Sequence, residues 1–249
     1  MRLDVFLVER KLVESRSKAS DLIKRKLVLV DNKVATKSGF DVNESNEVKI
    51  IEQLEYVSRA GIKLKNAIDS FNLNFTDKII IDVGSSTGGF TDCALQHGAK
   101  KIYAFDIGNK QLHESLRNNA KIELHEDTNI LDVSIKPSDF ILIDVSFTSI
   151  MPIIEHLKEE NSVFVALIKP QFEAGKILFK NGVIKDKNIH IKVLIDIIDK
   201  INQLGFNVYG LISSGLKGKA GNQEYFIVFD KVCNHLIDTK LIKDVVNNA

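Results

Sequence analysis

The sequence lacks tryptophan altogether and has only 3 prolines and 2 cysteines among its 249 residues. So few prolines exclude a proline-rich linker protein. Cys93 and Cys233 lie far apart without metal-ligand spacing, which argues against a disulfide scaffold or a zinc finger and fits a reducing compartment. The 34 basic and 33 acidic residues nearly cancel. Any affinity for nucleic acid must therefore come from a local basic patch.

Long hydrophobic runs are also missing. The longest apolar stretches, around 79–81 and 163–168, fall far short of the length that spans a bilayer. The N-terminal segment MRLDVFLVERK places Asp4 and Glu9 among apolar side chains, which is not the pattern of a signal peptide. Hydrophobic residues make up 44% and charged residues 27%, near the globular average, so wholesale disorder is excluded. We therefore expect a soluble, cytoplasmic protein.

The N-terminal part of the chain has the pattern of a small α+β domain. Apolar residues between positions 3 and 8 precede Arg10 and predict a short helix with one buried face. Ser15 or Ser17 is placed to cap a second helix, and short β-like pieces follow at Val28–Val30 and 47–51. Turn signals at 31–32 and 38–39 separate these pieces.

Basic side chains are concentrated in this part, with eight basic and four acidic residues among the first 26. A charge run of this kind is usually a solvated helix face. The arrangement, RLDVFLVER followed by SRSKASDLIKRKLVLVDNKV, closely resembles the S-four RNA-binding domain over residues 1–50. Such domains bind structured RNA mainly through phosphates and sugars. The resemblance assigns RNA binding to the basic residues Arg2, Arg16, Lys18, Lys24, Arg25 and Lys26.

From about Lys78 the sequence alternates strand-like and helix-like segments. The strand candidates are Ile79–Val83, Lys101–Phe105, Ile122–Leu124, Phe140–Ile143, Val163–Ile168, Val208–Ile212 and Tyr225–Phe229. The helical candidates are Gly89–Gln96, Gln111–Arg117, Ser149–Lys158 and Asn188–Leu204. Continuous apolar strands alternating with helices predict a mainly parallel sheet covered on both faces. The last two strands predict a closing hairpin, as in the seven-stranded, Rossmann-like α/β fold of class I methyltransferases.

A glycine-rich turn, DVGSSTGGF, connects the first of these strands to its helix and would let a ligand approach the backbone closely. A Walker phosphate loop requires Lys and then Ser or Thr after its last glycine, where Phe90 stands. A dinucleotide fingerprint requires glycine where Ser86 stands. The remaining interpretation is S-adenosylmethionine, whose methionine end needs no phosphate-binding lysine. The predicted cofactor contacts in this turn are Asp82, Gly84, Ser85, Ser86, Thr87, Gly88, Gly89 and Phe90.

Acidic residues follow the next two strands. Asp106 ends the second strand, where a carboxylate can accept both hydrogen bonds of a ribose diol. Glu126 and Asp127 follow the third strand, near the place where such folds hold adenine, and Asn129 is a further candidate. The pattern does not choose among these three. The cofactor site is completed with Asp106, Asp127, Asn129 and, at the end of the fourth strand, Asp144.

The reacting groups of such folds lie at the ends of the fourth and fifth strands. The loop DVSF lacks the two prolines of exocyclic-amine methyltransferases, and neither cysteine falls in these loops as a ring-carbon mechanism requires. Lys169 ends the fifth strand and would face Asp144, which suits a ribose hydroxyl. A desolvated lysine crowded by a second cation can act as a base. Two alternatives stay open: Lys169 only orients the hydroxyl, or it extends from a buried strand into solvent.

The segment SRAGIKL resembles the first helix of ribose 2′-O-methyltransferases of the FtsJ type. Their Lys-Asp-Lys-Glu tetrad corresponds here to Lys63, Asp144, Lys169 and Glu224. With DVGSSTGGFTDC, DVSF, KPQFEAG, GNQEYF and the N-terminal module, the chain is similar to the TlyA (haemolysin A) family as far as about residue 230. The family implies S-adenosylmethionine-dependent methylation of a cytidine 2′-hydroxyl in ribosomal RNA or ribosomal subunits, and a link to capreomycin sensitivity. Arg59 joins the RNA-binding residues on the same resemblance.

The resemblance implies an RNA-binding domain at 1–51, a linker at 52–58, a methyltransferase domain at 59–232 and a C-terminal helix or tail at 233–249. Family members that modify only the large ribosomal subunit lack short terminal extensions, and RLD begins almost at the first residue here, so the resemblance favours the large subunit as substrate. Other members modify both subunits, which keeps the small subunit as an alternative. No metal is expected, since a sulfonium is already an activated methyl donor. Two other interpretations are a membrane-active haemolysin and a ribosome-binding factor without catalysis. The sequence has no helix with the wide apolar and strongly cationic faces of a lytic peptide, and its glycine loop and tetrad are intact.

Overall fold

The computed structural model describes residues 1–31, 33–50, 55–175, 183–218 and 220–249. Contacts divide the chain into two compact units, Met1–Glu55 and Tyr56–Ala249. Three predicted segments lie partly outside the described residues. These are the turn at 31–32, the strand at 47–51 and the linker at 52–58, which lack residue 32, residue 51 and residues 52–54 respectively.

In the first unit, two helices and a three-stranded antiparallel sheet share one core. Helices α1 (Leu3–Glu9) and α2 (Arg16–Lys24) precede strands β1 (Val28–Val30), β2 (Lys33–Val34) and β3 (Val48–Ile50). The strands pair in the order β2-β1-β3. Helix α2 begins at the predicted cap, because the Ser15 hydroxyl accepts a hydrogen bond from the Lys18 amide. The two-residue strand β2 carries too little periodicity to be predicted.

The second unit is an α/β domain built on a seven-stranded sheet. Its strands are β4 (Ile79–Val83), β5 (Lys101–Phe105), β6 (Ile122–His125), β7 (Phe140–Ile143), β8 (Val163–Ile168), β9 (Asn207–Ser213) and β10 (Tyr225–Asp230). Its helices are α3 (Arg59–Phe71), α4 (Gly89–Gln96), α5 (Glu114–Arg117), α6 (Met151–His156), α7 (Pro170–Glu173), α8 (Lys187–Gln203) and α9 (Thr239–Asn247). The strand order is β6-β5-β4-β7-β8-β10-β9, and β10 runs antiparallel to both of its neighbours. The predicted fold class and its closing hairpin are confirmed.

The central strands are buried on both faces, which explains their continuous apolar sequences. Ile141 and Ile143 of β7 pack into the core that α6 and α8 cover, whereas Leu142 packs on the opposite face with residues of α3 and α4. Helix α9 adds Ile242 and Val246 to the first of these cores, so the C-terminal segment forms a helix with one buried face. Within the described part of the chain, none of the helices has the length and hydrophobicity that crossing a membrane requires.

Two helices are shorter than the sequence pattern predicts. The segment 111–117 is helical only from Glu114, because the Glu126 carboxylate binds the Gln111 amide and the His113 side chain caps the helix. The helix predicted over 149–158 covers Met151–His156, since the Ser149 hydroxyl accepts a hydrogen bond from the Met151 amide just before it. In both cases a side chain outside the periodic pattern decides where the helix begins.

The strand order reverses beside β4, which pairs with β5 on one side and β7 on the other. The chain proceeds outward from β4 to β6 and then returns to β7. In open α/β sheets such a reversal leaves a crevice at the carboxyl ends of the strands, where ligands bind. The predicted site residues of the second unit lie at the same edge.

Candidate active site

A cavity of about 480 Å³ opens at this edge of the sheet, and a smaller pocket of about 130 Å³ shares part of its lining. The large cavity has apolar walls that include Phe105, Ile130 and Ile153. The predicted cofactor residues in its lining are Gly84, Ser86, Asp106, Asn129 and Asp144. The smaller pocket is lined by the predicted residues Gly84, Ser85, Ser86, Thr87, Gly89, Phe90, Asp144 and Lys169, with Ser58 and Ser146. Asp82, Gly88 and Asp127 line neither space.

The glycine turn owes its sequence to close packing as well as to a ligand. Gly84 has φ +84°, and a Cβ there would lie 2.8 Å from the Asp144 carbonyl oxygen, so a side chain would push β4 and the end of β7 apart. Gly88 caps α4 at φ +90°, and a Cβ would approach Leu116 to 2.5 Å and Leu112 to 2.7 Å. Both positions therefore require glycine to avoid clashes with neighbouring residues. The sequence predicted only close approach of a ligand, not this packing requirement.

Asp106 is held at the rim of the large cavity by the glycine turn itself. Its two carboxylate oxygens accept hydrogen bonds from the Ser86 amide at 2.7 Å and the Gly108 amide at 2.6 Å. Each oxygen keeps a second acceptor position. The carboxylate is thus fixed in direction and can still accept hydrogen bonds from a ligand.

The structure separates the three candidates that follow the third strand. Glu126 binds Arg117 through two hydrogen bonds of 3.0 and 2.6 Å. These bonds lower the pKa of Glu126 to about 2, and the residue does not line the cavity. Asp127 is exposed and accepts a hydrogen bond from the Asn109 amide group. Asn129 lines the cavity, so it lies nearest to the predicted role.

Asp82 is fully buried beneath the glycine turn. Its Oδ2 accepts a hydrogen bond of 2.6 Å from the Thr91 hydroxyl of α4. Burial raises the pKa of Asp82 to about 7, against the opposing effect of that hydrogen bond. Asp82 therefore joins β4 to α4 below the turn and supports the site from inside.

Lys169 and Asp144 form an ion pair at the opening of the smaller pocket. Lys169 Nζ lies 2.6 Å from Asp144 Oδ1 and donates a hydrogen bond of 2.9 Å to the Ser146 hydroxyl. The lysine side chain is 11% exposed and the aspartate 17%. Because Lys169 is nearly enclosed and faces a carboxylate, the alternative of a lysine extending into solvent does not describe it. The sequence motif DVSF contains Ser146, but no role was predicted for this residue.

Lys63 and Glu224 form a second, more deeply buried pair. Lys63 lies on the buried face of α3 beside Leu64, and its Nζ donates a hydrogen bond of 2.5 Å to Glu224 Oε2. The lysine side chain is 11% exposed and the glutamate 4%. Gly218 packs directly on Glu224, since a Cβ at that glycine would lie 2.2 Å from Oε1. The pair is enclosed on both sides.

Strand register brings the two pairs to one edge of the sheet. β7 and β8 are parallel neighbours, so Asp144 leaves β7 at the edge where β8 ends in Lys169. Tyr225 of β10 lies opposite Ile168 of β8, and Glu224 and Lys169 follow one position beyond this pair. Helix α3 brings the second lysine to the same place. All four predicted tetrad residues are therefore neighbours in two lysine–carboxylate pairs.

Two aromatic residues flank this edge, and sequence reasoning assigned neither a role. Phe147 is 90% exposed and has φ +67°, a conformation that bulky residues rarely adopt. Its ring centroid lies 5.3 Å from that of Phe172, which follows Lys169 by three positions. Glu173 accepts a hydrogen bond of 2.9 Å from the Ile150 amide and so ties the loops after β7 and β8 together. The signal in the sequence was an aromatic residue four positions after the end of each of two neighbouring strands, β7 and β8.

The predicted RNA-binding residues of the first unit lie on its surface. Arg2 and Arg16 both bind Asp4, and Arg25 pairs with Asp21 along α2. Lys18, Lys24 and Lys26 are exposed. In the second unit, Arg59 is exposed at the start of α3 and donates a hydrogen bond to the Lys217 carbonyl at 2.9 Å, so it also holds the loop before Glu224.

Comparisons with known proteins agree with this geometry. The FtsJ-like methyltransferase family matches residues 56–231, and the S4 domain family matches residues 1–48. Hemolysin A of Brachyspira hyodysenteriae is 41% identical, over 92% of this chain and 99% of that protein. The 23S rRNA (cytidine-2′-O)-methyltransferase TlyA of Campylobacter jejuni is 38% identical, over 93% of this chain and 100% of that protein.

A solved structure from Streptococcus thermophilus, which also has hemolysin in its name, shares 37% of its sequence and superposes with a TM-score of 0.77. The superposition covers 100% of this chain and 94% of the other. The similarity thus extends over both units. On this basis the chain belongs to the TlyA (haemolysin A) family of FtsJ-like methyltransferases, with an S4 domain ahead of the methyltransferase region.

Proposed function

We propose that this chain transfers a methyl group from S-adenosylmethionine to the 2′-hydroxyl of a cytidine in ribosomal RNA. The observation that carries the proposal is the pair of buried lysine–carboxylate contacts, Lys169–Asp144 and Lys63–Glu224, beside a cavity below the glycine turn. A weakly acidic hydroxyl needs such a site, because its proton has to leave as the oxygen attacks. The name of the Campylobacter jejuni relative supports the cytidine ribose and, with it, the large subunit as substrate.

The cavity fits S-adenosylmethionine in size and chemistry. About 480 Å³ lies within the range of about 300–1,000 Å³ that small-molecule sites occupy, and apolar walls with few polar groups are typical of them. The Ser85 hydroxyl is buried in the lining of the smaller pocket, and within the described residues it has no hydrogen-bond partner. A polar ligand group would satisfy it.

We assign the ribose diol to Asp106, the adenine to the neighbourhood of Asn129, and the methionine end to the turn from Gly84 to Thr87. When bound, S-adenosylmethionine supplies a methyl group activated on a sulfonium. The chain excludes water from this region with its apolar walls, which strengthens the electrostatic interactions inside. Asp82 and Gly84 keep the turn in place through contacts with α4 and β7.

Lys169 and Asp144 manage the proton of the acceptor hydroxyl. Asp144, whose Oδ1 lies 2.6 Å from Lys169 Nζ, takes a proton from the ammonium, and the resulting amine accepts the proton of the acceptor hydroxyl as its oxygen attacks. The hydroxyl oxygen would gain the methyl group while the sulfur–carbon bond of the donor breaks to leave a neutral thioether, and the proton on the carboxylate would pass to solvent. The Ser146 hydroxyl, 2.9 Å from Nζ, fixes the direction of the lysine. Lys63 and Glu224 line neither cavity, but Glu224 lies one position beyond Tyr225, opposite Lys169 on the neighbouring strand, so the pair would support Lys169 from that side.

Phe147 is proposed to receive the base of the target nucleotide. An exposed aromatic ring offers a base a stacking surface worth about 1–3 kcal/mol. Its left-handed backbone conformation is unfavourable for phenylalanine, and Phe172 supports the ring from behind. The basic surface of the first unit would bind RNA phosphates and bring the substrate to the enzyme in the cytoplasm, where ribosomes are assembled.

The experiment that tests the proposal uses the full chain with methyl-labelled S-adenosylmethionine and separated ribosomal subunits or naked ribosomal RNA. Digestion to nucleosides and mass spectrometry should identify 2′-O-methylcytidine. At initial rates, Lys169→Ala should form the product at least about 100-fold more slowly. Lys136→Ala, which removes a lysine that is 60% exposed and paired with Glu123 on the surface, is the matched control and should retain it.

Label on a base, on protein or nowhere would contradict the proposal. Lysis of lipid vesicles by a preparation that leaves RNA unmethylated would favour the membrane-active alternative instead.

A further inference from the structure

Asp4 has a buried carboxylate in the first turn of α1. The residue is 3% exposed and lies between Leu3 and Phe6, which belong to the core of the first unit. A buried carboxylate is costly unless hydrogen bonds and opposite charges satisfy it. The segment RLD, which contributes to the family resemblance, contains this acid, but no role was predicted for it.

Two arginines satisfy this carboxylate. Arg2 binds it through Nε to Oδ1 at 2.9 Å and through Nη2 to Oδ2 at 3.1 Å. Arg16 reaches the same Oδ2 through Nη2 at 3.0 Å, and the Val5 amide donates to Oδ1 at 3.1 Å. Since both Nη2 atoms contact one oxygen, they lie within about 6 Å of each other.

The outer sides of both guanidinium groups face solvent. The side chains of Arg2 and Arg16 are 55% and 61% exposed. Each guanidinium has five N–H donors. In the part of the chain that the structure describes, the contacts with Asp4 are the only side-chain hydrogen bonds of either group. Several donors of two neighbouring cations therefore remain for a ligand.

The backbone that carries these groups is firmly anchored. The amides of Leu3 and Asp4 donate to the carbonyls of Phe40 and Ser38 at 2.8 and 3.1 Å. Arg16 is the first residue of α2, which the Ser15 hydroxyl caps. The two arginines thus extend from fixed points, and Asp4 fixes their ends.

From this arrangement we infer that Asp4 positions Arg2 and Arg16 as a single binding site for one backbone phosphate of RNA. The inference deepens the proposed function and rests on it. Planar guanidinium groups bind phosphate oxygens through paired hydrogen bonds, and preorganisation reduces the entropy lost on binding. The cluster has a net charge of one positive unit, which a phosphodiester would neutralise. The arginines lower the pKa of Asp4 to about 2, so the carboxylate stays ionised at physiological pH.

Asp4→Asn tests this inference because two explanations predict opposite signs. If Asp4 were only a negative charge beside RNA, its removal would strengthen RNA binding. If it positions the arginines, Asp4→Asn should weaken RNA binding about fivefold and reduce the slope of log affinity against log salt by up to about 0.7–0.9, the effect of one lost phosphate contact. Affinity for S-adenosylmethionine should not change.

Asp21→Asn is the matched control. Asp21 lies on α2, is 47% exposed, and pairs with Arg25 at 3.0 Å, so its removal changes the charge by the same amount without touching the cluster. Binding of the full chain to a fluorescent ribosomal RNA fragment would be measured by anisotropy at several salt concentrations. Asp21→Asn should bind RNA as tightly as the wild type or more tightly. Equal or tighter binding by a folded Asp4→Asn variant would overturn the inference.

A second pair of variants decides the question if Asp4→Asn does not fold. Arg16→Lys keeps the charge but loses the planar group, whereas Arg10→Lys makes the same change at a surface arginine paired with Glu44. Weaker RNA binding by Arg16→Lys than by Arg10→Lys supports the inference, and equal binding overturns it. A wild-type chain that does not bind RNA at all would instead contradict the proposed function.

Discussion

The buried pair between Lys63 and Glu224 allows a stability prediction that is independent of any substrate. Lys63→Met keeps the length of the side chain but leaves the Glu224 carboxylate, 4% exposed, without its partner at 2.5 Å. Removing one member of a buried ion pair costs about 3–5 kcal/mol, because the remaining charge is desolvated and unpaired. We expect a loss of this size in the free energy of unfolding of the second unit.

The double variant Lys63→Met/Glu224→Gln removes the unpaired charge. It should recover more than half of the lost free energy, that is, more than about 1.5–2.5 kcal/mol, and the single variant Glu224→Gln completes the double-mutant cycle that measures the coupling between the two sites. Methyl transfer should stay impaired in this stable protein, since the proposed site would lack two of its four charged groups. A double variant as active as the wild type would contradict the proposed role of the pair.

The second unit can be monitored separately during urea unfolding. The chain has no tryptophan, and its four tyrosines all lie in this unit, so tyrosine fluorescence reports on it alone. Lys65→Met is the matched control, because Lys65 lies on the same helix, is 36% exposed, and pairs with Asp69. Losing this exposed ion pair should lower the free energy of unfolding by less than about 1 kcal/mol. Equal costs for Lys63→Met and Lys65→Met, or additive effects in the double variant, would refute the reasoning.

Three further predictions concern the cavity. Because the pKa of Asp82 rises from 3.8 to about 7 on folding, the folded state binds more protons between these values, and stability should fall as pH rises through this window by about 4 kcal/mol. Urea unfolding at several pH values should show no such decrease for Asp82→Asn. A free energy of unfolding that depends on pH as in the wild type would contradict this prediction. Asp106→Ala should weaken S-adenosylmethionine binding by about 2–4 kcal/mol in calorimetry, and unchanged affinity would exclude this placement. Phe147→Ala should raise the KM for RNA about tenfold or more, and an unaltered KM would rule out base stacking.

Much of the fold follows from local patterns. The helix Gly89–Gln96 and the strand Val163–Ile168 have the predicted bounds, because apolar periodicity and turn glycines act within a few residues. The predicted start of α5, at Gln111, was wrong because of a contact with a residue distant in the sequence. Glu126, on a later loop, binds the Gln111 amide and shortens the helix, and no nearby residue signals this contact.

The site was less accessible to such reasoning. Asp144 and Lys169 could be placed at one edge, since the carboxyl ends of parallel strands meet there. Lys63 precedes the first strand of the sheet, whereas Glu224 comes 161 residues later, directly before β10. Only the family resemblance therefore related the two residues. The Ser146 contact, the backbone conformation of Phe147 and the two arginines on Asp4 depend on three-dimensional packing. They leave no periodic signal in the sequence.

The central claim, that Lys169 acts in the methyl transfer step, is tested most directly by single-turnover kinetics of Lys169→Ala. The enzyme would be saturated with S-adenosylmethionine and ribosomal RNA, after separate titrations have shown that both bind as in the wild type. The account predicts a rate of methyl transfer lower by about 10²–10⁴-fold, with little rescue by Lys169→Arg, since a guanidinium cannot be deprotonated near neutral pH. A wild-type single-turnover rate for Lys169→Ala would contradict the account.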